Sequence, residues 1–365
     1  MKCELGSICS RLSSGKNIQS KLIYSQGKYP VYGGNGLRGY TDIYNFNGEC
    51  AIIGRQGAFC GNVRYFKGTA YMTEHAVVVC ADKHNSTQYL AYLLSTMQLG
   101  RLSGQSAQPG LSVKTLSKQI IDVPTLEIQE KIASILRSLD DKIELNNKIN
   151  ENLEQQAQAL YQFFFIENTS SAWKQGTISD LGVVIGGSTP SKAKAEYYTQ
   201  NGIAWITPKD LSVNKSKFIT HGETDITELG LKNSSASIMP KGTVLFSSRA
   251  PIGYIAIAAG DVTTNQGFKS VVPKPEIGTA FVYYFLKHNL PIIEAMASGS
   301  TFKEISGSTM KNVPAVVPDS EALAKFNNIC KPIFAQQQIL ETQNQSLAAL
   351  RDSILPRLLN GEIEV

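Results

Sequence analysis

The chain is poor in the residue clusters that announce chemistry. Its six cysteines (Cys3, Cys9, Cys50, Cys60, Cys80, Cys330) form no CxxC pair, and its four histidines (His75, His84, His221, His288) are scattered, none in metal-ligand spacing. Reduced, buried thiols are expected and no metal site. No apolar run approaches the roughly 18 residues of a membrane span. The opening MKCELGSICSRLSSGKN lacks the apolar stretch of a secretory leader, so a cytoplasmic chain with no membrane partner is expected. No G-x-x-x-x-G-K-[ST] loop is present to cradle ATP: SSGKN at 13–17 is too short, and GGNG at 33–36 reads as a turn. PDSEALAK at 318–325 has the carboxylates and lysine of a nuclease centre. It lies at a helix start, where Asp319 or Ser320 as N-cap and Glu321 in the first turn are sufficient explanation.

What is present is a duplication. ECAIIGRQGAFCGN at 49–62 has its counterpart in GTVLFSSRAPIGY at 242–254, aligning Arg55 with Arg249 and Gly61 with Gly253. YLAYLL (89–94) matches FVYYFL (281–286), and SGQSAQPGLSVKTLSKQIIDVP (103–124) parallels SGSTFKEISGSTMKNVPAVVP (298–318). From there an offset of 194 carries Leu153 onto Leu347 and Leu160 onto Ile354. The period is too long for a solenoid, so each copy is a globular unit followed by one long helix. Strands are expected at 50–54, 63–66 and 74–80 in the first copy and at 243–247, 254–259 and 267–272 in the second. The segment 86–97 reads as a core helix with Leu90, Leu93, Leu94 and Met97 on one face.

Charge follows the same division. Residues 1–124 carry +7 and 171–318 carry +4, while 125–170 carry −4 and 319–365 carry −2. Basic globular segments alternate with acidic helical ones, the pattern that phosphate attracts and repels in turn.

In the first long helix Ile132, Leu139, Asn146, Leu153 and Leu160 fall seven apart, with Ile128, Ile135 and Ile149 as the partner row. In the second, Phe326, Ile333, Leu340, Leu347 and Ile354 do the same, beside Ile329 and Leu350. Two such stripes at matching places point to an antiparallel coiled-coil pair related by a pseudo-twofold axis, in which a buried Asn146 would fix register. Pro332 requires the second helix to start near Ile333 or to bend there. A helix of about 38 residues spans roughly 57 Å, ample for readers one turn of DNA, about 34 Å, apart.

The ordered set GGSTPSKAKAEYYTQNGIAWITPKDL (186–211), SRAPIGYIA (248–256), NQGFKSVV (265–272) and SGSTFKEIS (298–306) resembles the target-recognition domain of type I restriction–modification specificity subunits. The segments 124–165 and 347–364 resemble that family's central and C-terminal helical regions. The first globular domain lacks the TPS and GIAWI signatures. The resemblance implies an α+β fold of two similar strand-rich domains and two long antiparallel coiled-coil helices. Its boundaries are a target-recognition domain at 1–124, a central helix at 125–167, a second target-recognition domain at 168–318 and a C-terminal helix at 319–365. It implies a non-catalytic DNA-binding subunit that reads a bipartite, asymmetric double-stranded target. The partners are two adenine methyltransferase subunits and motor–nuclease restriction subunits. No cofactor belongs to this chain; S-adenosylmethionine, ATP and Mg²⁺ belong to the partners. Consistently, no Asn/Asp-Pro-Pro-aromatic motif of adenine methylation is found.

Base readout needs Arg, Lys, Asn or Gln on loops or strand edges. The candidates are Lys16, Lys21, Asn35, Arg38, Tyr40, Arg55, Gln56 and Arg64 in the first domain, then Ser191, Lys192, Lys194, Lys209, Arg249, Asn265, Gln266 and Lys303 in the second. Arg55 and Arg249 lead because each follows a strand in its own copy. Phosphate clamping or a surface ion pair is the plain alternative for each, and Asn265 and Gln266 equally suit a turn cap. ALYQFFF (159–165) packs on its own domain or docks a methyltransferase subunit. A coiled-coil protein-binding scaffold, or a methyltransferase or nuclease with unrecognised motifs, stay open as alternatives.

Overall fold

The computed structural model describes residues 1–103, 110–299 and 303–365. Parts of the repeated segments 103–124 and 298–318 therefore lie outside the described residues. The chain forms two compact units, Met1–Ile143 with Ser346–Val365, and Glu144–Gln345.

The first unit holds strands β1 (Lys2–Glu4), β2 (Cys9–Ser14), β3 (Tyr29–Gly33), β4 (Gly36–Thr41), β5 (Phe46–Gly54), β6 (Val63–Met72), β7 (Ala76–Ala81) and β8 (Ile120–Asp122). Its helices are α1 (Thr87–Thr96), α2 (Val113–Ser117) and the start of α3 (Leu126–Gln162). Six strands form one sheet in the order β2-β7-β5-β6-β3-β4, antiparallel except for β3 on β6. Both faces are covered, which explains the unbroken apolar runs of β5 and β7. Ala51, Ile53, Val77 and Val79 share a core with Leu90 and Leu94 of α1, while Cys50, Ile52, Ala76 and Val78 fill a second cluster with Phe46 and Met72. The sheet has to coil. The Met72 N–H bonds Asn45 Oδ1 at 2.8 Å beside the start of β5, yet Ala76 pairs with Gly54 at its end. Four residues reach about 14 Å, whereas a flat nine-residue strand spans about 30 Å. Gly48 and Gly68 face each other at the bend with φ of 134° and 138°, backbone that a side chain would strain.

The second unit holds strands β9 (Lys174–Thr177), β10 (Gly182–Gly186), β11 (Tyr198–Thr199), β12 (Trp205–Ile206), β13 (Phe218–Ile219), β14 (Asp225–Ile226), β15 (Val244–Ser248), β16 (Ile252–Ala258), β17 (Thr263–Thr264), β18 (Lys269–Pro273) and β19 (Pro314–Val317). Its helices are α4 (Ile178–Leu181), α5 (Pro208–Val213), α6 (Glu228–Lys232), α7 (Thr279–His288), α8 (Leu290–Ala295), α9 (Gly307–Lys311) and α10 (Ser320–Leu359), whose last residues join the first unit. The main sheet runs β10-β18-β15-β16-β13. Every residue of α7 from Ala280 to Leu286 is buried. Tyr161 and Phe165 of the ALYQFFF segment lie in the same core, which leaves Phe163, 54% exposed, as the segment's outward ring. The duplication recurs in three dimensions. In each unit the first strand pairs antiparallel with the last, β1 with β8 and β9 with β19. In each a serine caps the short helix before that last strand, Ser112 for α2 and Ser306 for α9.

Within each unit α3 and α10 run antiparallel. In the first, Asp140 Oδ1 meets Arg351 Nη1 at 2.7 Å. In the second, Asn146 Nδ2 donates to Asn344 Oδ1 at 2.9 Å, and Tyr161 packs on Phe326 further along. The seven-residue rows expected from the sequence face inward, but their partner rows do not. Ile128, Ile135, Ile149, Ile329 and Leu350 are all exposed. The row that joins the seam lies four residues ahead, at Leu136, Ile143, Asn150 and Ala157 on α3 and at Cys330, Gln337, Asn344 and Arg351 on α10. Half of it is polar (Asn150, Gln337, Asn344 and Arg351), so apolar spacing pointed to the wrong flank. Pro332 neither starts nor interrupts α10. The bond it removes falls on the exposed Asn328 carbonyl side, where water can replace it. Asp319 caps α10: its Oδ1 accepts the Ala322 N–H at 2.8 Å, and its Oδ2 accepts Trp173 Nε1–H at 2.9 Å. That disposes of the nuclease-like reading of 318–325.

Each unit also ties a domain helix to the long helices through a tyrosine and a carboxylate. In the first unit Tyr92 OH donates to Asp140 Oδ2 at 2.5 Å. In the second, Tyr284 OH donates to Glu154 Oε2 at 2.9 Å. Lys217 is 6% exposed there, and its Nζ reaches Glu154 Oε2 at 2.6 Å and Gln337 Oε1 at 2.9 Å over the Phe334 ring. Burial raises the Glu154 carboxyl, but the Lys217 and Lys287 ammonium groups outweigh it and hold the group at about 2.

Candidate nucleic-acid interface

In the first unit the β3–β4 turn, the end of β5 and the start of β6 converge. Asn35 sits in the turn; Arg38 is the extra residue of a bulge in β4, between Leu37, opposite Tyr32, and Gly39, opposite Val31. A Cβ on Gly36 would come within 3.1 Å of the Arg64 guanidinium carbon, and one on Gly34 within 2.9 Å of His75 O and 3.4 Å of Arg55 N. The glycine turn thus lets Arg64 and the Arg55 backbone approach closely. Gln56 pairs with Gly110 beside them. Lys16 is tied to the β6–β7 corner, its N–H bonding Met72 O at 2.9 Å. Lys21 and Tyr40 belong to a separate edge: Lys21 lies on the turn at Ser20–Leu22, and Tyr40 pairs with Tyr24.

In the second unit the brought-together set is larger. Arg249 follows β15 directly, and its Nη1 lies 3.4 Å from Glu304 Oε2. Asn265 Oδ1 accepts the Gly267 N–H at 2.9 Å, so Asn265 caps its own turn. Gln266 Oε1 accepts from Thr189 Oγ1, joining that turn to the loop that carries Ser191, Lys192 and Lys194. Those three side chains are exposed. Lys194 is 3.8 Å from Glu196. Lys209 on α5 is paired with Glu223 at 2.5 Å, a bond that raises its pKa. Lys303 is exposed next to Glu304. Spacing gave no sign of Glu304, Thr189 or Lys269, because their roles arise from segments far apart in sequence. Only the adjacency of Lys303 and Glu304 in SGSTFKEIS hinted at one of them.

The family model for the type I restriction modification DNA specificity domain matches residues 1–155 and 170–355. The chain belongs to that family. The specificity subunit of type I restriction enzyme MjaIX from Methanocaldococcus jannaschii is 42% identical over 178 residues, 46% of this chain and 41% of that protein. The HindI specificity subunit of Haemophilus influenzae is 26% identical over 330 residues, 70% of this chain and 71% of its own. The match thus spans less than half of the first relative and more than two thirds of the second. The crystal structure of a type I restriction–modification S subunit from M. genitalium has the same fold, with a TM-score of 0.66 at 18% identity over 98% of this chain and 95% of that one. Among the described residues of this specificity-family chain, no group of three or more His, Cys, Asp or Glu is placed to hold a metal, and no helix is long and apolar enough to cross a membrane.

Proposed function

We propose that this chain is the non-catalytic DNA-reading subunit of a type I restriction–modification assembly, with each unit contacting one half of a split, asymmetric duplex target. The observation that carries the reading is the duplicated site itself. An arginine leaves the end of a central strand in both copies, Arg55 after β5 and Arg249 after β15, amid other long polar side chains. Because the flanking residues differ, the two sites suit different bases. The helices α3 and α10 set the spacing between half-sites and dock two adenine methyltransferase subunits. Motor–nuclease subunits join that assembly, and S-adenosylmethionine, ATP and Mg²⁺ are bound by the partners. The docking reading gains support from the row Ile128, Ile135 and Ile149 on α3, each of which keeps between 37% and 39% of its surface exposed. The chain works in the cytoplasm.

The test is to express the chain with an adenine methyltransferase subunit and sequence the methylated adenines in the host DNA. A split, asymmetric motif is expected, with affinity falling steeply as salt releases counterions. A continuous or palindromic motif would refute two independent readers. Methylation by the isolated chain would favour an enzyme, and assembly without DNA binding a protein scaffold.

A further inference from the structure

Arg249 and Glu304 are each held by main chain. Ser248, the last residue of β15, accepts the Ile305 N–H at 3.0 Å, and Glu304 exchanges two backbone bonds with Ser298 at 3.1 and 2.9 Å. The Glu304 carboxylate therefore has a fixed root beside the strand that launches Arg249. Its two oxygens face two cations, with Oε2 3.4 Å from Arg249 Nη1 and Oε1 3.6 Å from Lys269 Nζ. Lys269 is 16% exposed and Arg249 39%. The ammonium steadies the carboxylate from the inner side and leaves the guanidinium facing solvent.

We infer that Glu304 is a positioning residue that presets Arg249 as a base reader in the second unit, and that Arg55 in the first unit has no such support. This rests on the DNA-reading function proposed above. A guanidinium carries five N–H donors in a fixed fork. With Nη1 directed at Glu304, the remaining edge stays free for the paired acceptors O6 and N7 of guanine. A long side chain ordered before binding loses less freedom on binding, which favours the one base that matches the fork. Among the described residues the first copy shows no such device. Leu111 N–H bonds Arg55 O at 2.8 Å, much as Ile305 bonds the strand end in the second copy, but the residue preceding Leu111 is Gly110. Among the described residues Arg55 makes no ion pair.

The experiment uses the full chain with its methyltransferase subunit. Selection from randomised duplexes defines the target, and duplexes with single base-pair changes then compete with it. Glu304→Ala is expected to lower discrimination about tenfold at one base pair of the second unit's half-site. The other half-site stays unchanged, and affinity for unrelated duplex is equal or higher because a negative charge has gone. Glu304→Asp restores discrimination. Glu304→Gln repeats the loss in a variant of native shape and serves where the alanine variant does not fold. Uniform weakening against all duplexes, or discrimination equal to the parent's, overturns the positioning role. A parent complex that discriminates no base pair at all overturns the DNA-reading function instead.

Discussion

The two junctions between domain and long helices use the same tyrosine and different cations. Tyr92 and Tyr284 stand at equivalent places in the repeat, and each donates to a carboxylate on α3, Asp140 or Glu154. In the first unit the cation is Arg351, on the other long helix, and both charged partners keep about a quarter of their surface exposed, 26% and 29%. In the second it is Lys217, from the domain, 6% exposed. Duplication thus preserved the tyrosine–carboxylate hydrogen bond and let the cation come from whichever element was near. Burial, more than the identity of the pair, decides what each junction is worth.

The largest effect should come from breaking that equivalence at its buried end. Glu154→Ala strands the Lys217 ammonium and is expected to destabilise the second unit by about 3–5 kcal/mol. Asp140→Ala, at a partly solvated pair, should cost the first unit about 1–2 kcal/mol. Both tryptophans, Trp173 and Trp205, lie in the second unit, so urea unfolding followed by their fluorescence reads that unit alone. Hydrogen exchange of α1 peptides reads the other. Equal costs, or a larger one for Asp140→Ala, would show that burial does not rank the junctions.

Acid probes the same pair without mutation. Glu154 is held at about 2, below its unfolded value, so its contribution is complete above about pH 4.5 and is lost as pH falls toward 2. The size is on the order of 3 kcal/mol before Glu341, raised by burial and titrating the other way, takes back part of it. Tryptophan fluorescence in an acid titration should therefore move before the α1 exchange rates, and Glu154→Ala should remove that early step. An early step that survives the substitution assigns it to another group.

The arginines extend the comparison from junction to interface. Arg249→Ala should cost about 1–3 kcal/mol against the second unit's half-site only, and Arg55→Ala should affect the first unit's half only. Competition with duplexes altered in one half at a time separates the two. Equal loss in both halves for either variant would break the assignment of one unit to one half.

Much of this was legible in the sequence where local pattern and tertiary role coincide. The strands at β5 and β15, the core helices α1 and α7, and the placement of both arginines at strand ends follow from apolar runs bounded by glycine and from the repeat. The seam was half legible. Apart from Asn146 its inner row is apolar and seven-spaced, but its second row contains Asn150, Gln337, Asn344 and Arg351, whose burial or pairing comes from the opposite helix and interrupts the apolar periodicity. Lys217 was invisible for the same reason, and Glu304 was hinted at only by its adjacency to Lys303. Each acquires its role from a residue dozens of positions away, 63 for the ion pair to Glu154 and 55 for Arg249 to Glu304.

The smallest expected change lies inside the seam and concerns one place where the copies differ. By the 194-residue offset Asn146 corresponds to Leu340, so one helix carries an amide where the other carries a hydrocarbon. Asn146 is fully buried; its Nδ2 reaches Asn344 Oδ1 at 2.9 Å, while its own Oδ1 has no partner among the described residues. Asn146→Leu removes that unpaired acceptor and buries more apolar surface. It also takes a donor from Asn344, whose Nδ2 still bonds Asn147 Oδ1 at 2.8 Å. Gain and loss are each about 1 kcal/mol, so stability in urea should change by less than about 1 kcal/mol in either direction. The expected difference is in specificity. An amide that must find Asn344 fixes register and partner, and without it α3 and α10 can pair with those of a second copy at little cost. Sedimentation should then detect concentration-dependent self-association in the variant and none in the parent chain. A loss above about 2 kcal/mol with no self-association would make Asn146 a stabilising contact and not a register device.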